Sequence, residues 1–242
     1  MDKVNEILQS KEQRNPWIDI FGSAGMLVSF IMLISPLPSV LEGLRKMEFK
    51  SLSQSYLICA MGNSILWAVY GFKLNEFPMY LTNTFAFILF LFYYNSTLWI
   101  NSQANRIIPS TIFSPLVFYA FYVYFPKEIV GFLAFLMSSI WMLSSIEKMR
   151  EAILERSSKF INMPVVLSSM TGSLMGVIYG SLLKNFYVIF PNTLGLVLYL
   201  FNVMIYFWIM NYIPDKNMFI NLLKIAFLLN EDKQRSPMNS IK

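Results

Sequence analysis

Seven continuous apolar runs, parted by short polar breaks, make up most of the chain between residues 17 and 212. They lie at Trp17–Pro38, Leu52–Phe72, Phe77–Ile100, Ile107–Phe125, Glu128–Ile146, Met163–Leu183 and Phe186–Tyr212. Each is close to the roughly 20 residues a helix needs to cross the hydrocarbon core of a bilayer. The runs lack the period-two alternation of barrel strands, so the pattern predicts an all-α membrane protein of seven transmembrane helices. The breaks are small. Arg45, Lys46, Glu48 and Lys50 part the first two spans, while Lys73 with Glu76, Pro126 with Lys127, and Lys184 mark tight turns. The longest polar connection follows Ile146 and carries Glu147, Lys148, Arg150, Glu151, Glu155, Arg156 and Lys159. In the tail, Met218–Leu229 is apolar but too short to span. It reads as an interfacial helix or as an extension packed on the bundle.

The runs also repeat. At an offset of 109 residues, 63–93 aligns with 172–202 without a gap. Ser64, Tyr70, Gly71, Phe77, Asn83 and Thr84 recur as Ser173, Tyr179, Gly180, Phe186, Asn192 and Thr193. Apolar identities arise freely between membrane helices, but Tyr-Gly and Asn-Thr pairs in the same register do not. The repeat takes in spans one to three and five to seven and leaves the fourth over. Three helices reverse the direction of the chain across the membrane. One linker helix restores it, so the two triple-helix bundles run parallel about an axis along the membrane normal, a 3+1+3 arrangement. The expected divisions are an arm (1–16), a first repeat (17–100), a linker helix (101–127), a second repeat (128–212) and a tail (213–242).

Composition narrows the function. Of 242 residues, 56% are hydrophobic and 14% charged, against about 25% charged in soluble domains. The net charge of +5 is spread over loops and forms no basic block that would follow a nucleic-acid backbone. There is no His and one Cys, Cys59, so disulfides within the chain and Cys/His metal sites are excluded. No nucleophile–base pair is available, and neither an enzyme nor a cofactor is expected. Assigned alternately to the two sides, Lys and Arg fall thirteen against six. This puts the N-terminus outside or lumenal and the C-terminus in the cytosol, in a plasma membrane or an endomembrane. The first sixteen residues lack a signal-peptide pattern, and the first span is expected to act as its own insertion signal. The sequon Asn95-Ser96-Thr97 then lies at the cytosolic end of a span, where glycosylation is not expected. No ionisable residue sits deep in a span. Proton- and voltage-coupled proteins carry such groups, so the chain is expected to let a neutral solute run down its gradient.

Candidate site residues follow from the repeat. Asn83 and Asn192 hold the same position in both copies, and each carboxamide offers two donor hydrogens and an acceptor oxygen. Two such groups facing each other would suit hydroxyls, which donate and accept; the structural alternative is a bond between membrane helices. Trp67 and Gly176 are also repeat-equivalent, one turn before the Tyr-Gly pairs. An indole face packs well on the C–H face of a pyranose. Pro36, Pro38 and Pro164 fall at or near span ends, as hinges or as plain terminators.

Other features carry a resemblance. Ser35-Pro36-Leu37-Pro38, the stretch Asn63-Ser64-Ile65-Leu66-Trp67-Ala68-Val69-Tyr70-Gly71, the pair Thr82-Asn83, Met163-Pro164, and Phe190-Pro191-Asn192 together resemble the motifs of the SWEET sugar transporters. The resemblance spans about residues 20–212. It implies a sugar pocket lined by Asn83, Asn192 and the Trp67/Gly176 pair. It also implies a gate or hinge set comprising Pro36, Pro38, Pro164, Pro191 and the Tyr70-Gly71 and Tyr179-Gly180 pairs. The pattern departs from the family at Ser145, the repeat counterpart of Pro36, and at Ser55, that of Pro164. The expected function is facilitative transport of a mono- or disaccharide by alternating access, with membrane lipid and a second copy of the chain as possible partners. A PQ-loop transporter of another solute, a seven-helix receptor and a membrane scaffold are the alternatives.

Overall fold

The structure, a computed structural model, describes residues 15–48 and 54–210. Among the described residues it is built from helices and has no strand. The α-helices are α1 (Pro16–Ile34), α2 (Leu37–Lys46), α3 (Gln54–Lys73), α4 (Phe77–Ile100), α5 (Ile107–Tyr124), α6 (Lys127–Glu155), α7 (Met163–Leu182) and α8 (Phe186–Ile209). Six segments are long and apolar enough to cross a membrane: α1 with α2, α3, α4, α5 with the single 3-10 turn before it, α7 and α8. The apolar part of α6 supplies the seventh. The expected arm and the tail segment 218–229 lie outside the described residues.

Two boundaries differ from the sequence expectation. The first span stops at Ile34, turns at Ser35-Pro36 and resumes as α2 through the stretch read as a polar loop. The connection expected after Ile146 is also helix, as α6 runs on to Glu155. These are one feature seen twice, because 37–46 moved by 109 is 146–155. Val40 and Gly43 are buried in the first copy, and Met149 and Ala152 in the second. An apolar pair at i and i+3 packs inward while the described charged side chains, Glu42, Arg45, Lys46, Arg150, Glu151 and Glu155, stay exposed, which is how an amphipathic helix continues past the membrane. The copies differ at one residue. Pro36 lacks the backbone donor and its ring clashes with the preceding turn, so the first copy breaks; Ser145 stands there in α6, which continues without a break.

Helix ends repeat as well. Asn15, Asn162 and Asn185 accept from the first-turn amides of α1, α7 and α8 through their side-chain oxygens. Met47 and Arg156 adopt left-handed backbone as helix C-caps, and Asn75 and Lys184 do so in the tight turns. Both pairs are 109 apart, so the duplication reaches the turn geometry.

In each unit the third helix packs between the other two: α4 touches α1 and α3, and α8 touches α6 and α7. Between units, α1 packs on α7 and α3 on α6. The first helix of each copy therefore meets the second helix of the other, as a two-fold axis requires. The linker α5 packs on α3 and α4 of the first unit. One end is tied by Lys73, whose Nζ donates to the Tyr122 carbonyl at 2.6 Å. At the other end the Asn95 amide donates to Thr111 Oγ1 at 3.0 Å and accepts from Ser110. Asn95 of the sequon is thus engaged between helices, and Ser96 and Thr97 are buried.

Candidate functional site

Asn83 projects from α4 and Asn192 from α8, both half-buried. Each carboxamide donates one hydrogen to the carbonyl one turn earlier, Asn83 Nδ2 to Met79 at 2.8 Å and Asn192 Nδ2 to Val188 at 2.8 Å. The two bonds are repeat equivalents. Among the described residues each amide makes this single hydrogen bond, which leaves its Oδ1 and a second N–H unused. The bond back to the helix fixes the rotamer and so aims the free edge.

Gly176 determines where the second amide lies. A Cβ at this position would collide with the carboxamide of Asn192. The Asn192 side chain therefore rests on the bare backbone of α7, and Gly176 seats it. Trp67, its repeat counterpart, is 9% exposed. Its Nε1–H donates to Ser138 Oγ at 2.8 Å, and Ser138 donates to Asn63 Oδ1 at 2.8 Å. The indole N–H is thus held by α6, and the ring lies edge-on to Tyr70 with centroids 5.8 Å apart. Asn63 and Ser138 escaped the sequence reading. Asn63 opens the Asn-x-x-Leu-Trp stretch, whereas Ser138 had only its repeat identity with Ser29 to mark it. Opposite Asn63 the repeat places Gly172, so polar and aromatic bulk stands on α3 and open backbone on α7.

The Tyr-Gly pairs divide their work. A Cβ on Gly71 would lie 2.8 Å from the Tyr80 backbone nitrogen, and one on Gly180 would lie 3.0 Å from that of Ile189. Each glycine lets the second helix of its own unit approach the third. Each tyrosine reaches across to the other unit. Tyr70 Oη accepts from Asn185 Nδ2 at 2.8 Å, and Tyr179 Oη donates to Glu76 Oε2 at 2.8 Å in a buried pair. Glu76 and Asn185 are themselves 109 apart, so the two bonds form a crossed, symmetric latch at the end of the short turns. Gly131 on α6 makes room for it, since a Cβ there would lie 2.6 Å from the Tyr70 ring. Sequence reading took Glu76 as turn punctuation and gave Asn185 no role.

Among the prolines, Pro36 stands at the α1–α2 break, and Pro38 and Pro164 lie in the first turns of α2 and α7, where proline's missing donor is unneeded. Pro191 lies inside α8 next to Asn192 and is buried. Its counterpart Thr82 donates its hydroxyl to the Pro78 carbonyl at 2.7 Å.

The latch predicts a graded result. A hydrogen bond to a carboxylate contributes roughly 1.5–3 kcal/mol and a neutral one about 1 kcal/mol. Tyr179→Phe should therefore open the short-turn end further than Tyr70→Phe. Spin labels on cysteines introduced for the exposed Phe77 and Phe186, in a Cys59→Ser background, would report this as longer inter-turn distances. Unchanged distance distributions in both variants would show that the bonds hold nothing closed.

A family model described as a sugar efflux transporter for intercellular exchange matches residues 19–102 and 128–214, two blocks with the linker helix between them. The bidirectional sugar transporter SWEET11 of Arabidopsis thaliana is 22% identical over 79% of this chain and 71% of its own length. SWEET9 of the same plant is 24% identical over 73% of each. SWEET11 of Oryza sativa subsp. japonica is 21% identical over 80% of this chain and 67% of its own. A solved eukaryotic SWEET transporter superposes with a TM-score of 0.70 at 20% identity, covering 80% of this chain and 97% of that one. Its likeness extends the two-repeat helical fold seen above to a known architecture. A duplicated triple-helix unit around a linker, matched by the family model over most of the chain, makes this multi-pass membrane protein a member of the SWEET family.

Proposed function

We propose that the chain is a uniporter for a neutral mono- or disaccharide, cycling by alternating access between its two bundles. The observation that carries this reading is the pair of repeat-equivalent amides, Asn83 and Asn192, each with an unused acceptor and an unused donor hydrogen. A sugar hydroxyl both donates and accepts, so a hydroxyl-bearing ring between the two units satisfies both amides at once. The Trp67–Ser138–Asn63 network stiffens the α3–α6 side of that space, and Gly176 seats the Asn192 carboxamide on the α7 side.

The charge distribution supports a non-cytosolic N-terminus and a cytosolic C-terminus. On that orientation the crossed Tyr70–Asn185 and Tyr179–Glu76 latch is an outer gate, closed in this conformation. The functional divisions we assign are 17–100 and 128–212 as the moving units and 101–127 as the linker, carried with the first unit by the ties at Lys73 and Asn95.

The test is counterflow in proteoliposomes loaded with glucose, fructose or sucrose. At least one of these should drive transient accumulation of its own radiolabelled form, with saturable kinetics that an imposed proton gradient leaves unchanged. Absence of counterflow for all three, or strong stimulation by the proton gradient, would defeat the reading.

A further inference from the structure

A cleft of about 650 Å³ opens at the short-turn end, beside the latch rather than at the paired amides. It lies between the end of α3, the start of α6 and the α7–α8 turn, and that volume falls within the range of about 300–1,000 Å³ typical of small-ligand sites. Its lining is of mixed character. Phe132 and Phe135 face it from α6, with ring centroids 6.3 Å apart, and Phe132 is 48% exposed. Glu128 and Lys184 bring a carboxylate and an ammonium to the same space. Tyr70 and Asn185, bonded to each other in the latch, form part of the wall. Because Tyr70 Oη accepts in that bond, its own hydroxyl hydrogen is still available to a ligand.

Charge decides what fits. An anionic ligand would meet Glu128, and a cationic one would meet Lys127 and Lys184 at the cleft edge. A neutral polyol uses both signs, accepting from the ammonium and donating to the carboxylate, while the C–H face of its ring lies on Phe132. We propose that this cleft is a second, outer sugar-binding subsite, where a sugar rests on the outer side of the latch before or after passing it. A sugar here lies against both partners of the Tyr70–Asn185 bond, so its hydroxyls compete for that bond and favour release of the gate. The inference rests on the transport reading above, which supplies the ligand.

Saturation-transfer NMR with D-glucose on the purified full chain tests it. The Asn192→Ala variant should keep a weak, saturable glucose signal from the outer cleft. Adding Phe132→Ala or Glu128→Gln to that background should weaken the signal about fivefold or more, and adding both should remove it. Both residues are exposed, so the protein should fold, which gel filtration and the melting temperature would verify. A residual signal indifferent to both substitutions would overturn the subsite, as would loss of all glucose binding in Asn192→Ala alone. Preferential binding of glycerophosphocholine over glucose at the same residues would overturn it too, pointing to a lipid headgroup. Failure of the transport reading looks different: wild-type protein would then show no component that depends on Asn192. In proteoliposomes, Phe132→Ala should lower zero-trans Vmax/KM by the same factor in both directions, because a passive carrier cannot shift the equilibrium it mediates. An unchanged Vmax/KM would count against the subsite, whereas a fall in one direction only would count against passive transport.

Discussion

Asn192→Ala is expected to abolish most sugar flux while leaving a folded, inserted protein. The carboxamide offers a bound sugar its Oδ1 and one N–H beyond the bond it already makes to Val188. Neutral hydrogen bonds contribute about 0.5–1.5 kcal/mol each, and more where truncation strands a buried partner. Loss of two of them, with the sugar's own hydroxyls left unpaired, corresponds to roughly 2–4 kcal/mol, or about 30- to 1,000-fold in Vmax/KM. The Val188 carbonyl keeps its backbone partner in α8, so the melting temperature should shift little. Asn83→Ala should give a loss of the same order, because its bond to Met79 and its free edge repeat those of Asn192. Wild-type counterflow in either variant would remove that residue from the site.

Gly176→Ala is expected to do comparable damage without removing any hydrogen-bonding group. The added methyl occupies the position of the Asn192 carboxamide, so either the amide swings away or α7 and α8 separate. Overpacking of this kind costs typically 1–3 kcal/mol, and the displaced amide no longer aims its free edge. The distinctive result comes from the combined variant. With alanine at 192 as well, the methyl has room, so Gly176→Ala/Asn192→Ala should melt above Gly176→Ala alone and transport no worse than Asn192→Ala alone. Such a strongly non-additive cycle is the signature of two residues sharing one space. Additive losses in melting temperature would place Gly176 elsewhere in the energetics.

Much of this was legible in the chain. Run length and the 109-residue offset carried the helices, the repeat and the linker, because crossing a bilayer demands length and apolarity and little else. The charged stretches at 41–46 and 147–155 misled because charge was weighed above period. Val40 and Gly43, and Met149 and Ala152 after them, hold helical spacing through both, and the offset itself connects them. At the site, Asn83 and Asn192 stood out because a polar side chain inside a span needs a reason. What Gly176 does could not be read, since an absent side chain shows its purpose only against the neighbour that fills the space. Glu76 passed as a turn residue, and Asn185 drew no reading, for a related reason. Their partners are 103 and 115 residues away in the chain, on the opposite repeat. Trp67 was read for its indole face alone, and nothing in its own helix announces Ser138, which accepts its N–H from α6.

The unbroken α6 has a mechanical meaning. Its 29 residues make a rod of about 43 Å at 1.5 Å per residue, against about 30 Å of hydrocarbon. The excess stands beyond the bilayer as a lever arm, so a tilt of the second bundle near the membrane centre is magnified at its tip around Glu155. The first bundle has no such arm, because the turn at Ser35-Pro36 interrupts it and α2 follows as a separate helix. The same end of the molecule is thus built in two different ways, as a jointed piece on one side and a continuous boom on the other.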